Sequence, residues 1–426
     1  VNILKYRKIL YSSVILILFI YLVPTEAYSQ EHQLSFFLKA AIYNAPQLAA
    51  SQRNIKISQL DKKINKAIFR KPVLTGNGFA LWAPGSTAWG FDKAITNGGE
   101  YDALLNLTYP ILQANDLEAH DMLSSSQSKQ AKYNQIYRRH NLEMRVTQAY
   151  INIYGDQQHM NYLGNLHKLL QHQINQWTAL VKNGLLKITD LQQVRLEDAQ
   201  ILIQLKRAKN QTVQDRSIIN QICGLPDTTS YAVAYPELTS PVISDSVLSV
   251  NHSRFLGTFG IDSLSFEAQQ KVKDTRYLPK LNVMMNTGLS SSKLKDAYNH
   301  FGFTIGLNLS WRLWDNGQKS LQHQKTKLHL QNVRDQQKYE KMRLLQQRNS
   351  VLNTLKSVEG QVSEQKQQVH DYKKLLESYR VEIGKGIRSV TDYITVFRRY
   401  LNARNELNNL NVQRLQSINE LNYWNW

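Results

Sequence analysis

From about 115 to about 182 the chain contains no proline, apart from which the stretch carries a helix seam: Val146, Ala149, Ile153, Met160, Leu163, Leu170, Ile174, Trp177 and Val181 fall on a 3-4 alternation. Only Asp156 and His167 interrupt it. At 1.5 Å per residue such a helix is about 100 Å long. A compact domain of ordinary size cannot hold it, so the chain must be built around elongated helices.

The feature occurs twice. At an offset of 202 residues, Leu107-Thr108-Tyr109-Pro110-Ile111-Leu112 falls on Leu309-Ser310-Trp311-Arg312-Leu313-Trp314, and the turn from Gly184 to Asp190 falls on Gly386 to Asp392. One offset serves both, so the interval between them has no net insertion. In the second copy Val351, Leu355, Val358, Val362, Val369, Tyr372, Leu376, Tyr379 and Ile383 keep the register, with Gln365 as the exception. After each turn the periodicity predicts a return helix, at about 189–222 and 391–424. Each is about half the length of its partner. Leading segments at about 34–70 and 262–276 can supply the missing length by stacking end to end on the return helices.

Between leading segment and long helix lie strand candidates. Phe301, Phe303, Ile305, Leu307, Leu309 and Trp311 alternate with Gly302, Thr304, Gly306, Asn308 and Ser310. Tyr101, Ala103, Leu105, Leu107 and Tyr109 repeat the pattern, although Leu104 breaks the polar face. Partners are expected at 72–82 and 280–289, with polar loops at 83–99 and 290–299. Gly76 and Gly78 read as a bend in the first of these. The strands have the length that crosses a bilayer, with aromatic residues near their ends. A transmembrane sheet tolerates no open edge and four strands cannot close a barrel, so several chains must share one.

Compartment follows from the N-terminus. Lys5, Arg7 and Lys8 precede an apolar run from Ile9 to Val23, and Ala27-Tyr28-Ser29 offers the small residues of a cleavage site before Gln30, so residues 1–29 are expected to be a removed signal peptide. Gln30, not a cysteine, would follow the cut, which argues against a lipoprotein. The formal charge of +19 would then become about +17, and export argues against a nucleic-acid partner. Cys223 is the single cysteine; it excludes a disulfide framework and is expected to pack as a small hydrophobe.

Taken in order, these features resemble the TolC-like outer-membrane efflux proteins over nearly the whole mature chain. Asn44-Ala45-Pro46-Gln47-Leu48 resembles the family's opening Asn-Pro-x-Leu, with one alanine inserted. Trp314-Asp315-Asn316-Gly317 resembles its strand-to-helix Phe-Asp-Gly-Gly. The two turns resemble its Gly-x-x-x-x-x-Asp tips. The resemblance implies a mainly α fold with transmembrane β: duplicated long α-hairpins plus four strands per chain, forming a trimeric 12-stranded β-barrel continued by a periplasmic α-helical tunnel. The expected layout is a first repeat at 30–224, an inter-repeat linker in the equatorial region at 225–261 and a second repeat at 262–426. It further implies an outer-membrane exit duct for efflux or type I secretion, working with a periplasmic adaptor protein and an inner-membrane pump. Neither catalysis nor a cofactor is expected.

Candidate working residues gather at the tips. Gly184 and Gly386 suit positive-φ positions. Thr189, with Gln192 three residues on, reads as a capping box, and Thr391 as the corresponding cap. Asp190 and Asp392 would then start their helices, where the dipole favours a carboxylate by about 0.3 to 1 kcal/mol. The resemblance implies that Asp392 belongs to an acidic ring at the channel entrance. The family's second acidic position is Thr395 here. It also implies that Arg388 bonds Thr189 and Asp190 of a neighbouring chain to hold the tunnel shut, although Ile383 replaces the accompanying tyrosine. Gly184, Leu185, Gly386 and Ile387 are the expected adaptor-docking turns, and Phe301, Phe303, Ile305, Leu307, Leu309, Leu105 and Leu107 the membrane-facing strand positions. His120, His159, His167 and His172 on the first long helix have no convincing metal-site spacing, and His167 is expected to pair across the helices. The competing reading is a non-transport periplasmic coiled-coil scaffold or an adaptor; an adaptor would carry one hairpin between soluble β domains.

Overall fold

The computed structural model describes residues 31–84, 89–92, 98–226, 231–239 and 250–426. The expected signal peptide lies outside the described residues, as do parts of the 83–99 loop and of the 225–261 segment.

A short strand β1 (Glu31–His32) leads into helices α1 (Leu34–Asn44) and α2 (Pro46–Arg70), strands β2 (Val73–Trp82) and β3 (Gly99–Leu112), the long helix α3 (Ala114–Lys182) and its return α4 (Ile188–Cys223). Then come β4 (Ala232–Val233), α5 (Gly257–Asp274), β5 (Lys280–Ser291), β6 (Phe301–Ser310), the second long helix α6 (Gln318–Gly384) and its return α7 (Val390–Trp424). The helix starts at 188 and 390 are 202 residues apart, as are the ends at 182 and 384.

The leading segment differs from the expected single helix. Ala45 stands before Pro46 in an extended conformation (φ −67°, ψ 111°), and the helix restarts with the proline in its first turn. The ring of a proline disfavours the α region for the residue before it and needs no N–H at a helix start. In the second copy the leading helix runs from Gly257, several residues ahead of the expected start.

The chain divides into two compact units. One combines the described part of Val1–Asn44 with Val146–Leu238 and Gly360–Gln416. Its core joins Leu163, Leu170 and Trp177 of α3 to Leu191, Val194 and Ile201 of α4, Leu376 and Ile383 of α6, and Tyr393, Phe397 and Leu401 of α7. Most of the residues read as the two seams are buried here or partly buried against this cluster. Burying each large side chain contributes about 1.5 to 3 kcal/mol, which is how weakly nucleating long helices are held. His167 Nδ1 lies 2.6 Å from Asp198 Oδ1, so the polar interruption of the seam is satisfied across the hairpin.

At the other end of this unit β1 pairs in parallel with β4. The Tyr150 hydroxyl lies 2.8 Å from the carbonyl of His32 and 2.9 Å from that of Ala234. Gln157 exchanges two hydrogen bonds with the backbone of Val233. Asn44 donates from Nδ2 to the carbonyls of Cys223 and Gly224, at 2.9 and 3.3 Å, and so closes the C-terminus of α4. This gives the Asn-Ala-Pro motif a structural task. Cys223 is buried, and burial pushes its thiol up to about 11.

The second unit takes Ala45–Arg145, Thr239–Glu359 and Ser417–Trp426. His140 is stacked between the rings of Tyr423 and Trp426, at 4.7 and 4.5 Å, beside Phe255. Burial lowers its pKa, and its Nε2 lies 2.9 Å from the Tyr423 carbonyl. The unit also holds a four-stranded antiparallel sheet in the order β2-β3-β5-β6. Gly76 and Gly78 do not bend it: they pair with Leu105 and Ala103 in an unbroken register. The irregularity lies instead in β3 against β5, between Pro110 and Leu112, where a proline cannot donate to the ladder and a bulge is tolerated.

Candidate functional site

Both hairpin turns belong to the first unit and close in the same way. Gly184 (φ 73°) donates to the Val181 carbonyl at 3.0 Å and Leu185 to that of Leu180 at 2.9 Å. Gly386 (φ 72°) donates to Ile383 and Ile387 to Glu382, both at 2.9 Å. This is the Schellman arrangement, and its left-handed position favours glycine. A consequence is that Leu185 and Ile387 are thrown outward, each 69% exposed.

The return helices begin earlier than the capping-box pattern predicts. Lys187 occupies the N-cap of α4 with no side-chain bond, so Thr189 is inside the first turn and does not cap. In α7 the N-cap contact comes from Ser389, whose Oγ accepts from the Asp392 N–H at 3.2 Å, and not from Thr391. Asp190 and Asp392 therefore lie in the first turn but not at its first position. The dipole still favours both there. Asp392 is exposed and Asp190 half-buried.

Arg388 is engaged within its own chain. Its Nε donates to Glu382 Oε2 at 3.0 Å, and its guanidinium lies 4.7 Å from the centre of the Tyr379 ring. The Glu382 contact raises its pKa, with Tyr379 adding to the effect. A signal for this existed: Tyr379 and Glu382 stand about two turns and one turn before Gly386, and Arg388 follows two residues after it.

Behind the turns the two hairpins are tied together. Tyr393 donates its hydroxyl to Gln173 Oε1 at 2.8 Å and meets Trp177 edge-on, with ring centres 5.5 Å apart. Burial pushes the Tyr393 phenol up to about 12. Thr391 donates to Gln193 Oε1 at 3.4 Å, and Arg398 pairs with Glu197. The other histidines of α3 have ordinary neighbours: His172 meets Gln176, His159 bonds Asn405, and His120 lies against Phe69 in the second unit.

The sheet sorts its side chains by face. Across the strands, Leu74, Leu107, Met285 and Ile305 form one row, and Gly76, Leu105, Thr287 and Phe303 the next on the same face. The opposite face carries the row Thr75, Asn106, Asn286 and Thr304. Phe301, Phe303, Ile305, Leu307 and Leu309 are all exposed, Leu307 by 71%, and Leu105 is exposed while Leu107 is partly covered. Every described position of β2 and β6, the two edge strands, is exposed. Where β6 passes into α6, Asp315 accepts from the N–H groups of Gly317 and Lys319 at 3.0 and 2.6 Å, with Asn316 and Gly317 both at positive φ. A hydrogen bond from Tyr277 holds the Asp315 carboxyl below its ordinary range, and the two backbone donors act in the same direction. The Trp-Asp-Asn-Gly motif is thus a helix cap. Among the described residues no group of His, Cys, Asp and Glu has the arrangement of a metal site, and no helix is long and apolar enough to cross a membrane.

Among the described residues the chain has long paired helices and an antiparallel sheet that is apolar on one face and unpaired at both edges. Residues 263–423 match the family model described as outer membrane efflux protein. The outer membrane protein TolC of Salmonella enteritidis is 22% identical over 294 residues, 66% of this chain and 60% of that protein, so the match spans less than two thirds of the relative's length. Among solved structures, CusC superposes with a TM-score of 0.78 at 14% identity, covering 93% of both chains. VceC of Vibrio cholerae gives 0.72 at 15% identity, covering 92% of this chain and 95% of its own. The matched segment and the fold are thus similar to those of the TolC-like outer membrane efflux proteins.

Proposed function

We propose that the chain is the exit duct of a tripartite efflux or type I secretion system. Three copies would each give four strands to a twelve-stranded barrel, continued by a periplasmic α-helical tunnel that passively conducts what an inner-membrane pump delivers through an adaptor. The observation that carries this reading is the sheet with one apolar face and two unpaired edge strands. A soluble scaffold or adaptor has no use for such a surface. In this reading the chain is two repeats, 30–224 and 262–426, with 225–261 near the equator, and it is inserted after loss of residues 1–29.

The tips are the periplasmic end. Leu185 and Ile387, held outward by Gly184 and Gly386, offer apolar contacts to the adaptor. Asp392, exposed in the first turn of α7, would line the entrance as one ring of carboxylates, which attract cations. Arg388 would reach Thr189 and Asp190 of the neighbouring copy only by leaving Glu382, so the latch is a competition between two carboxylates for one guanidinium.

Single-channel recording tests the entrance. Asp392→Asn should weaken cation selectivity and block by multivalent cations while leaving assembly intact. Asp190→Asn should leave both unchanged, because that carboxylate belongs to the latch. Equal effects of the two substitutions would remove the distinction between the repeats.

A further inference from the structure

The first unit contains an open cavity of about 290 Å³ whose walls include both aromatic and cationic side chains. Tyr154 and Tyr162, two turns apart on α3, form one wall, and Tyr235 from the segment after β4 closes one end. Lys366 of α6 and Arg404 and Arg414 of α7 supply the charge. No carboxylate is among the described residues lining it.

These groups are set for a ligand that is both flat and negative. Tyr154 and Tyr235 meet edge-to-face at 5.5 Å, so they present an aromatic corner. The Arg404 guanidinium lies 5.7 Å from the centre of the Tyr162 ring, which places a cation beside a π surface. The Tyr162 hydroxyl is buried and has no hydrogen-bond partner among the described residues. The volume is at the lower end of small-molecule sites, enough for a two-ring compound.

We propose that this cavity is a binding site for a small aromatic carboxylate or sulfonate. The ring system lies against Tyr154 and Tyr162, and the anionic group is held by Lys366 and Arg404. Arginine is suited to this role because its donor fork matches the two oxygens of a carboxylate. This site is separate from the Asp392 entrance and does not depend on the transport reading.

The test uses the full chain in nanodiscs of neutral phosphatidylcholine, with 2-naphthoate as probe and the uncharged 2-naphthamide as its isostere, both followed by ligand-observed NMR. Saturable binding of naphthoate, with naphthamide binding at least about tenfold more weakly, is the expected result. Arg404→Gln and Lys366→Gln should each weaken naphthoate by about fivefold, and both positions are exposed, so the fold should be unaffected. Tyr162→Leu should weaken both compounds by losing the stacked wall. Absence of saturable binding, equal binding of the two probes, or unchanged naphthoate affinity in the charge variants would each overturn the proposal.

Discussion

Asp156 of α3 and Asp215 of α4 face each other in the first unit, and the hydrogen bond between two carboxyl groups requires one of them to keep a proton. Burial raises Asp156 to about 7, and the hydrogen bond that its protonated carboxyl donates to Asp215, together with the charge of Asp215, adds to the shift. The folded-state value is above the ordinary 3.8, so between those limits the native chain binds a proton that the unfolded chain has released. Stability is therefore complete below the ordinary value and falls as pH rises toward 7. Asp156→Asn lacks this titration. Its thermal unfolding temperature should gain on the unmodified protein between pH 5 and pH 8, and a gap that is constant with pH would deny the shared proton. In the sequence Asp156 is visible as an interruption of the seam, but nothing local points to Asp215. The same limit explains the caps. Thr189 and Thr391 satisfy a short-range pattern, while the true helix starts are set one or two residues earlier by the geometry of the glycine turns.

At the scale of elements, periodicity was nearly sufficient. Helix α3, both returns and all four sheet strands lie within a few residues of the positions that the 3.6- and 2-residue repeats predict, because each buries or presents one continuous face. The pairing of Glu31–His32 with Ala232–Val233 was not legible, since a two-residue strand has no period and depends on Tyr150 and Gln157 from another element. The sheet makes the sharpest prediction. Phe303 lies on the apolar face and Thr304 on the polar one, so Phe303→Arg should reduce the amount of heat-modifiable protein recovered in outer-membrane fractions, while Thr304→Arg assembles. A lipid-facing arginine near the midplane costs about 2 to 4 kcal/mol, whereas one facing a water-filled lumen does not. Equal recovery of both would reverse the assignment of the faces.

For the whole molecule, the expected result is fractionation with the outer membrane and migration as a trimer after mild solubilisation. A periplasmic monomer would end the duct reading. The number three is not written in the residues; what is written is that one chain leaves the sheet unfinished. Alternating strand directions make β2 and β6 antiparallel to each other. An edge of one copy can thus accept the opposite edge of the next, and the junction continues the ladder in the same sense. Such a contact is head-to-tail, and a pair of copies still has two free edges. Growth stops only when the circle closes. A population in which some copies have a blocked β6 edge would then fail in proportion to the rings they enter rather than to their own number, so a defective allele of this gene would behave as a poison to the normal one.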